Sequence, residues 1–186
     1  MPYTGNKPSA VPLTSADIAD SIITSAKIVD GTIVNADINA SAAIVSTKLS
    51  GSFGKVLQVI TATDSTTRTT TSSSYVTGSN TLSVSITPSS ASNKILLLFS
   101  SAGRTQTDDK ETRYTIFRDA TDLSGGNGLT MLQGSRTISI SMSFLDSPNT
   151  TSAITYQVYM KGEGTHTITL NEGSVKGSLT ALEIAG

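Results

Sequence analysis

The chain has 186 residues, a formal net charge of −1 and no cysteine. That length suits one domain with an appendage, and the missing thiols exclude disulfides and thiolate metal sites. Lys and Arg are scattered, which leaves no electrostatic footprint for nucleic acid or an anionic membrane, and no apolar run reaches the roughly 18 residues a spanning helix needs. Roughly three residues in ten are Ser or Thr while only 15% are charged. This composition describes a β-rich chain kept in solution by hydroxyls.

Residues 1–12 open the chain with Pro2, Pro8 and Pro12 around Tyr3, Gly5 and Lys7. Proline removes ladder donors, so an extended peptide is predicted. Pro2, Tyr3, Lys7, Pro8 and Pro12 are its candidate docking residues, expected to order on a larger assembly. The start also lacks the basic and apolar stretches of a signal peptide, which predicts synthesis in a cytoplasm.

Residues 13–53 are a repeat. Leu13, Ile18, Ile23, Ile28, Ile33, Ile38, Ile44 and Leu49 fall at a step of five, with one inserted residue before Ile44. Every second unit reads Ala-Asp/Lys-Ile, as at Ala16-Asp17-Ile18, Ala26-Lys27-Ile28 and Ala36-Asp37-Ile38. On a helix, five residues advance about 500°, so the aliphatics would spiral around it. On a flat strand an odd step sends them to alternate faces. The backbone must therefore bend within each unit, and Asp30-Gly31 is a turn dipeptide able to supply one bend. The segment is too short to build a core of its own. Neighbouring copies are expected to supply the partner surface, giving an intertwined oligomeric β-fibrous stalk. The competing reading is a flexible tether.

Residues 54–186 read as one all-β domain, a jelly-roll-like β-sandwich head. Strand-like runs fall at 55–62, 66–76, 81–86, 94–101, 111–118, 129–133, 136–145, 152–160, 165–170 and 178–185. Leu82, Val84 and Ile86 alternate cleanly, as do Ile138, Ile140, Met142 and Phe144, and Ile154, Tyr156, Val158 and Met160. Only Ile95-Leu96-Leu97-Leu98-Phe99 reads as a strand buried on both faces. Many short strands without an amphipathic helix mean a sandwich or jelly roll.

Several stretches carry a resemblance. They are Gly54-Lys55-Val56-Leu57-Gln58-Val59, Leu82-Ser83-Val84-Ser85-Ile86-Thr87-Pro88, Ser92-Asn93-Lys94-Ile95-Leu96, and Phe144-Leu145-Asp146-Ser147-Pro148. With the Ala-Lys-Ile-Val-Asp-Gly-Thr-Ile repeat, the chain resembles small tail-fibre or virion-fibre proteins of tailed bacteriophages, over most of residues 11–186. The resemblance implies a homotrimeric, non-enzymatic appendage exposed on the virion. Its partners would be other virion proteins at the N-terminus and a host-surface glycan or protein at the head. A capsid-decorating fibre or knob is the alternative, and a polysaccharide-degrading enzyme a remote one.

Receptor contact is expected on loops at the head's far end. If strands alternate direction from Gly54, that end holds loop 119–128, with Asp119, Thr121, Asp122, Ser124, Gly125, Gly126 and Asn127, and the turn 146–151. One miscounted strand favours residues 103–110 instead. Gly125-Gly126-Asn127-Gly128 lacks the lysine of a phosphate cradle and reads as a flexible loop. The lone His166 reads as a solvent-face strand residue, and Asp108-Asp109-Lys110-Glu111 as a solvated turn without cation-loop spacing. Neither a catalytic, a metal nor a cofactor residue is expected. The Asn-X-Ser/Thr triplets at Asn39 and Asn149 carry little weight without a secretion signal.

Overall fold

The computed structural model of the protein describes residues 23–39, 41–42, 55–164 and 166–186. The chain divides into two units, Met1–Ser50 and Gly51–Gly186.

In the first unit, 3-10 turns at Ser25–Lys27 and Asn35–Asp37 fall on the two described Ala-Lys/Asp-Ile triplets. Between them the chain turns at Gly31 (φ 79°), where Thr32 N donates to Val29 O at 3.0 Å. Alternate pentads therefore bend in two different ways. Among the described repeat residues there is no strand, and Ile23, Ile28, Ile33 and Ile38 are all exposed. Leu13, Ile18, Ile44, Leu49, Pro2, Tyr3, Lys7, Pro8 and Pro12 lie outside the described residues.

The second unit is all β. Its strands are β1 (Val56–Asp64), β2 (Arg68–Thr70), β3 (Val76–Thr77), β4 (Ser83–Ile86), β5 (Lys94–Thr105), β6 (Glu111–Arg118), β7 (Thr121–Asp122), β8 (Thr130–Gln133), β9 (Thr137–Asp146), β10 (Ile154–Gly162), β11 (Ile168–Leu170) and β12 (Gly177–Ile184). They form two antiparallel sheets. One runs β1-β12-β5-β11-β2 with β9 on the other side of β5, and the second joins β3 and β4 to β10, β10 to β6, and β6 to β7 and β8.

Several of these strands are halves of one position. β12 pairs with the start of β5 and β11 with its end, while β1 and β2 lie beside β12 and β11 in turn. β3 with β4, and β7 with β8, likewise share one flank of β10 and of β6. Each sheet is thus four positions wide. In chain order the positions run 1-8-3-6 in one sheet and 2-7-4-5 in the other, which is jelly-roll connectivity.

Alternation put the expected side chains inside over most of the head. Leu82, Val84, Ile86, Ile140, Met142, Ile154, Tyr156, Val158 and Met160 are all buried. Three expectations needed correction. The run 66–76 forms only the short β2 and the first residue of β3, because Ser72 and Ser74 turn the chain through hydrogen bonds to one another. In β9 Ile138 is exposed and Phe144 half-buried. And β5 is not buried on both faces. Ile95, Leu97 and Phe99 point inward, whereas Leu98 is exposed and Leu96 half-exposed on the outer face.

Two buried carboxylates sit where the sheets end, and both are well supplied with donors. The Glu183 carboxylate accepts from Asn93 Nδ2 (2.5 Å), Gln58 Nε2 (2.6 Å) and Ser89 N (2.6 Å). Burial pushes this carboxyl up, but those donors outweigh it and hold it down at about 2. Asp146 accepts from Tyr156 Oη at 2.6 Å and forms a two-oxygen ion pair with Arg118 at 3.0 Å. Desolvation first, then the Asp146 bond, raises the Tyr156 hydroxyl. Such fully paired groups specify a register, because a slip would strand them without partners.

Candidate functional site

β1 and β5 start at one end of the head, shown by the pairings Val56 with Ile184 and Ile184 with Lys94. β6 and β10 antiparallel pairing puts Glu111, Arg113, Lys161 and Gly162 at the opposite end. There they line a cleft of about 330 Å³ with Ser73, Glu163 and Gly164. A neighbouring depression of about 420 Å³, lined by Thr107, Lys110 and His166, shares Glu163 and Gly164 with it.

The cleft walls are held by main-chain bonds. Gly162 N donates to Ser72 O at 2.8 Å, and Glu163 N to Glu111 O at 3.0 Å. Arg113 pairs with Glu111 at 2.7 Å and also donates to Asn127 O at 3.0 Å. Lys161 Nζ donates to Gly126 O at 2.9 Å and stands 4.3 Å from the Tyr75 ring centroid. Behind it, Tyr75 meets Phe117 edge to face at 5.8 Å and Phe117 stacks on Tyr159 at 4.1 Å. These contacts fix two cations and the Glu111 carboxylate beside an aromatic ledge, and with Glu163 on the lining the four charges cancel.

The Gly-rich loop borders this cleft and is tied down, in contrast to the flexible loop expected. Asp122 is its hub. Its Oδ1 accepts from Thr115 Oγ1 (2.7 Å), Ser124 N (2.9 Å) and Ser124 Oγ (2.7 Å), and its Oδ2 from Gly126 N (2.8 Å). Burial opposes the charge, yet the donors from Ser124, Thr115 and Gly126 prevail and lower the carboxyl. Ser124 Oγ then accepts from Gly128 N at 2.9 Å. Gly128 has φ 82°, and a Cβ there would come within 3.1 Å of Arg113 and Tyr75, so glycine is required on two counts.

The structure therefore splits the loop residues named from sequence. Ser124, Gly125, Gly126 and Asn127 form the tip, anchored over the outer face of β6 and β10. Asp119 and the exposed Thr121 lie instead near the end where β1 begins, and so does the turn 146–151 after β9. Asp119 adopts φ 51° and accepts from Thr155 N at 3.0 Å, a turn-forming role. Splitting strand positions into pairs changed the strand count, so the loop after β5, residues 106–110, is the one at the far end.

Other sequence features resolve as follows. His166 precedes β11 and is half-buried, not a solvent-face strand residue. Its ring lies on Gly162, where a Cβ would stand 2.9 Å from Cε1, and neither ring nitrogen has a hydrogen-bond partner among the described residues. Asp108 caps Ser135 N at 2.8 Å while Glu111 faces Arg113, so the acidic run is spread between two partners. Among the described residues, no group of three His, Cys, Asp or Glu side chains could hold a metal ion. Ser73, Arg113, Lys161 and Glu163 carried no sequence signal, since only the pairing of β6 with β10 and the turn after β2 bring them together.

No family model matches the chain, and no curated protein matches it. Solved structures of infectious bursal disease virus are similar in part. The Gt strain structure gives a TM-score of 0.38 at 12% identity, over 69% of this chain and 38% of that one. The T13 viral particle gives 0.39 at 12% identity, over 72% and 36%. The Gx strain gives 0.37 at 12% identity, over 69% and 37%. This chain thus spans little more than a third of the length of those chains.

Proposed function

We propose that the chain is a virion fibre protein of a tailed bacteriophage, and that the far-end cleft is its contact with a neutral, polyhydroxylated receptor such as a surface glycan. The cleft carries this reading. Glu111, Arg113, Lys161 and Glu163 alternate donors and acceptors, and their charges cancel, which suits hydroxyls better than phosphates or carboxylates. The pinned tip holds Arg113 and Lys161 through Asn127 O and Gly126 O, so little entropy is lost on binding. The resemblance of the repeat and head to phage fibres supports the setting. So does the exposed isoleucine beat, which suits assembly with other copies, a homotrimer by the resemblance. Several heads on one fibre multiply a weak sugar contact through avidity.

Residues 1–12 are the proposed attachment to other virion proteins. The experiment is adsorption of labelled full-length protein to host bacteria, in competition with intact particles. Binding and competition are expected, and deletion of residues 1–12 should preserve both while removing the protein from assembled particles. A protein that neither binds cells nor competes would leave a structural, capsid-decorating role, which a map of the whole particle would locate.

A further inference from the structure

At the end where β1 begins, one sheet has its polarity reversed. Its inward row reads Gln58, Glu183, Ile95, Asp146 across four paired strands. The next row, facing outward, reads Val59, Leu182, Leu96, Leu145. Three polar side chains point in and four aliphatic ones point out. Val59 is 57% exposed, Leu145 52%, Val56 46%, Leu98 42% and Leu57 39%. Burying an acid while presenting leucines to water makes no sense for an isolated head.

We propose that this outer face is the surface on which heads of separate copies of this chain meet. It rests on the oligomeric part of the reading above and names the surface responsible. Four observations favour a second copy as the occupant. First, the patch starts at Val56, directly after the repeat segment, so copies joined by their repeats deliver this face to one another at high effective concentration. The described repeat residues expose isoleucines in the same way.

Second, the face has the anatomy of an interface. The following rows read Thr61, Thr180, Leu98, Ser143 and then Thr63, Ser178, Ser100, Ser141. An aliphatic centre thus gives way to a hydroxyl rim, and these rows carry no charge, Lys94 standing one row before them beside Ile184. Charge depletion at the centre is what distinguishes an interface from ordinary surface. The outer face of the other sheet, with Glu111, Arg113 and Lys161, is charged. Third, a depression of about 290 Å³ lies beside Leu98, between Ser143 and Thr180, and can receive an aliphatic side chain. Fourth, the patch covers roughly a few hundred Å², at the upper limit for monomers, whereas a stable interface needs about 800 Å² per partner. The patch alone falls short of that size, so a stable assembly needs further contact between copies.

The absence of cysteine makes the test direct. Full-length Leu98→Cys and Met131→Cys each carry one thiol. Met131 is also exposed but lies on β8, in the opposite sheet. With a short bismaleimide, Leu98→Cys should cross-link between copies and Met131→Cys should not. The double variant Val59→Asn/Leu145→Asn should raise the concentration at which the oligomer dissociates by about tenfold or more, a shift of about 1.4 kcal/mol. An oligomer in which Leu98→Cys fails to cross-link, or does so no better than Met131→Cys, overturns the proposal and leaves oligomerisation to the repeat. An unchanged dissociation point in the double variant overturns it too. A full-length chain that stays monomeric at high concentration sinks both this surface and the oligomeric fibre. Cross-linking through Leu98→Cys, with wild-type protein that does not adsorb to cells, would count against the receptor cleft alone.

Discussion

The two outer faces of the head are built on the same strand grammar and end in opposite chemistry. Beside β6 and β10 the outward positions hold Glu111, Arg113, Lys161, Phe117 and Tyr159, locked to a pinned loop. Beside β12 and β5 they hold Leu182, Leu96, Leu98 and Ser100, of which Leu98 and Ser100 are exposed. Both faces belong to sheets that share one apolar core, so folding alone does not account for the difference. Charge and hydroxyls suit a surface that meets water and soluble ligands. An aliphatic centre in a Ser/Thr field suits a surface that meets its own kind.

The comparison breaks most visibly at β5, where neighbours in sequence serve opposite sides. Leu97 is fully buried. Leu97→Ala should cost about 2–5 kcal/mol in a denaturant melt followed by tyrosine fluorescence. Leu98→Ala should barely move the head's own melt and should lower oligomer affinity instead. Equal losses for the two would mean that the outer face is as much core as the inner one.

Acid sharpens the same contrast through Glu183, the carboxylate turned inward beneath Leu182 and Leu96. Its folded value, about 2, lies below its ordinary 4.5. The stability it contributes is therefore fully present above pH 4.5 and is lost as pH falls through 2, up to about 3 kcal/mol. Melts of the wild type should weaken over that window. In Glu183→Gln that part of the pH slope should vanish, and persistence of the full slope would assign it to other carboxylates.

On the charged face, Asp122→Ala leaves the Thr115, Ser124 and Gly126 donors without their acceptor. We expect a loss of about 1–3 kcal/mol, faster hydrogen exchange at residues 124–128, and weaker cell binding. Exchange unchanged from wild type would show that the loop holds without its hub. The smallest effect on stability belongs to the cleft itself. Lys161→Ala/Glu163→Ala should stay within about 0.5 kcal/mol of wild type, as surface changes do, while adsorption to cells falls severalfold. Undiminished adsorption would move the receptor contact elsewhere.

Much of this architecture was legible in the chain. The alternation of Leu82, Val84 and Ile86 and of Ile154 through Met160 marked strands and their inner faces, because a pleated strand repeats every two residues whatever it packs against. Ser/Thr richness without amphipathic helices marked the all-β class. Loop 119–128 was visible as a polar, Gly-rich interruption, yet its stiffness was hidden. That stiffness depends on Asp122 reaching Thr115 across a strand pair that sequence spacing does not reveal.

What the sequence by itself determined was most of the long strands, the pentad beat of Leu13 to Leu49, and the existence of a two-sheeted head. Tertiary structure alone decided which face turns inward where both rows of a strand are aliphatic, as in β5, and which turns share an end. Leu96 and Leu98 look like core when read as a run, and Glu183 looks like surface. A one-residue choice of register reverses every side chain in a strand, and here that choice was set by distant partners. Asn93, Gln58 and Ser89 hold Glu183 inside, Arg118 and Tyr156 hold Asp146 inside, and the leucines beside them are thereby left facing out.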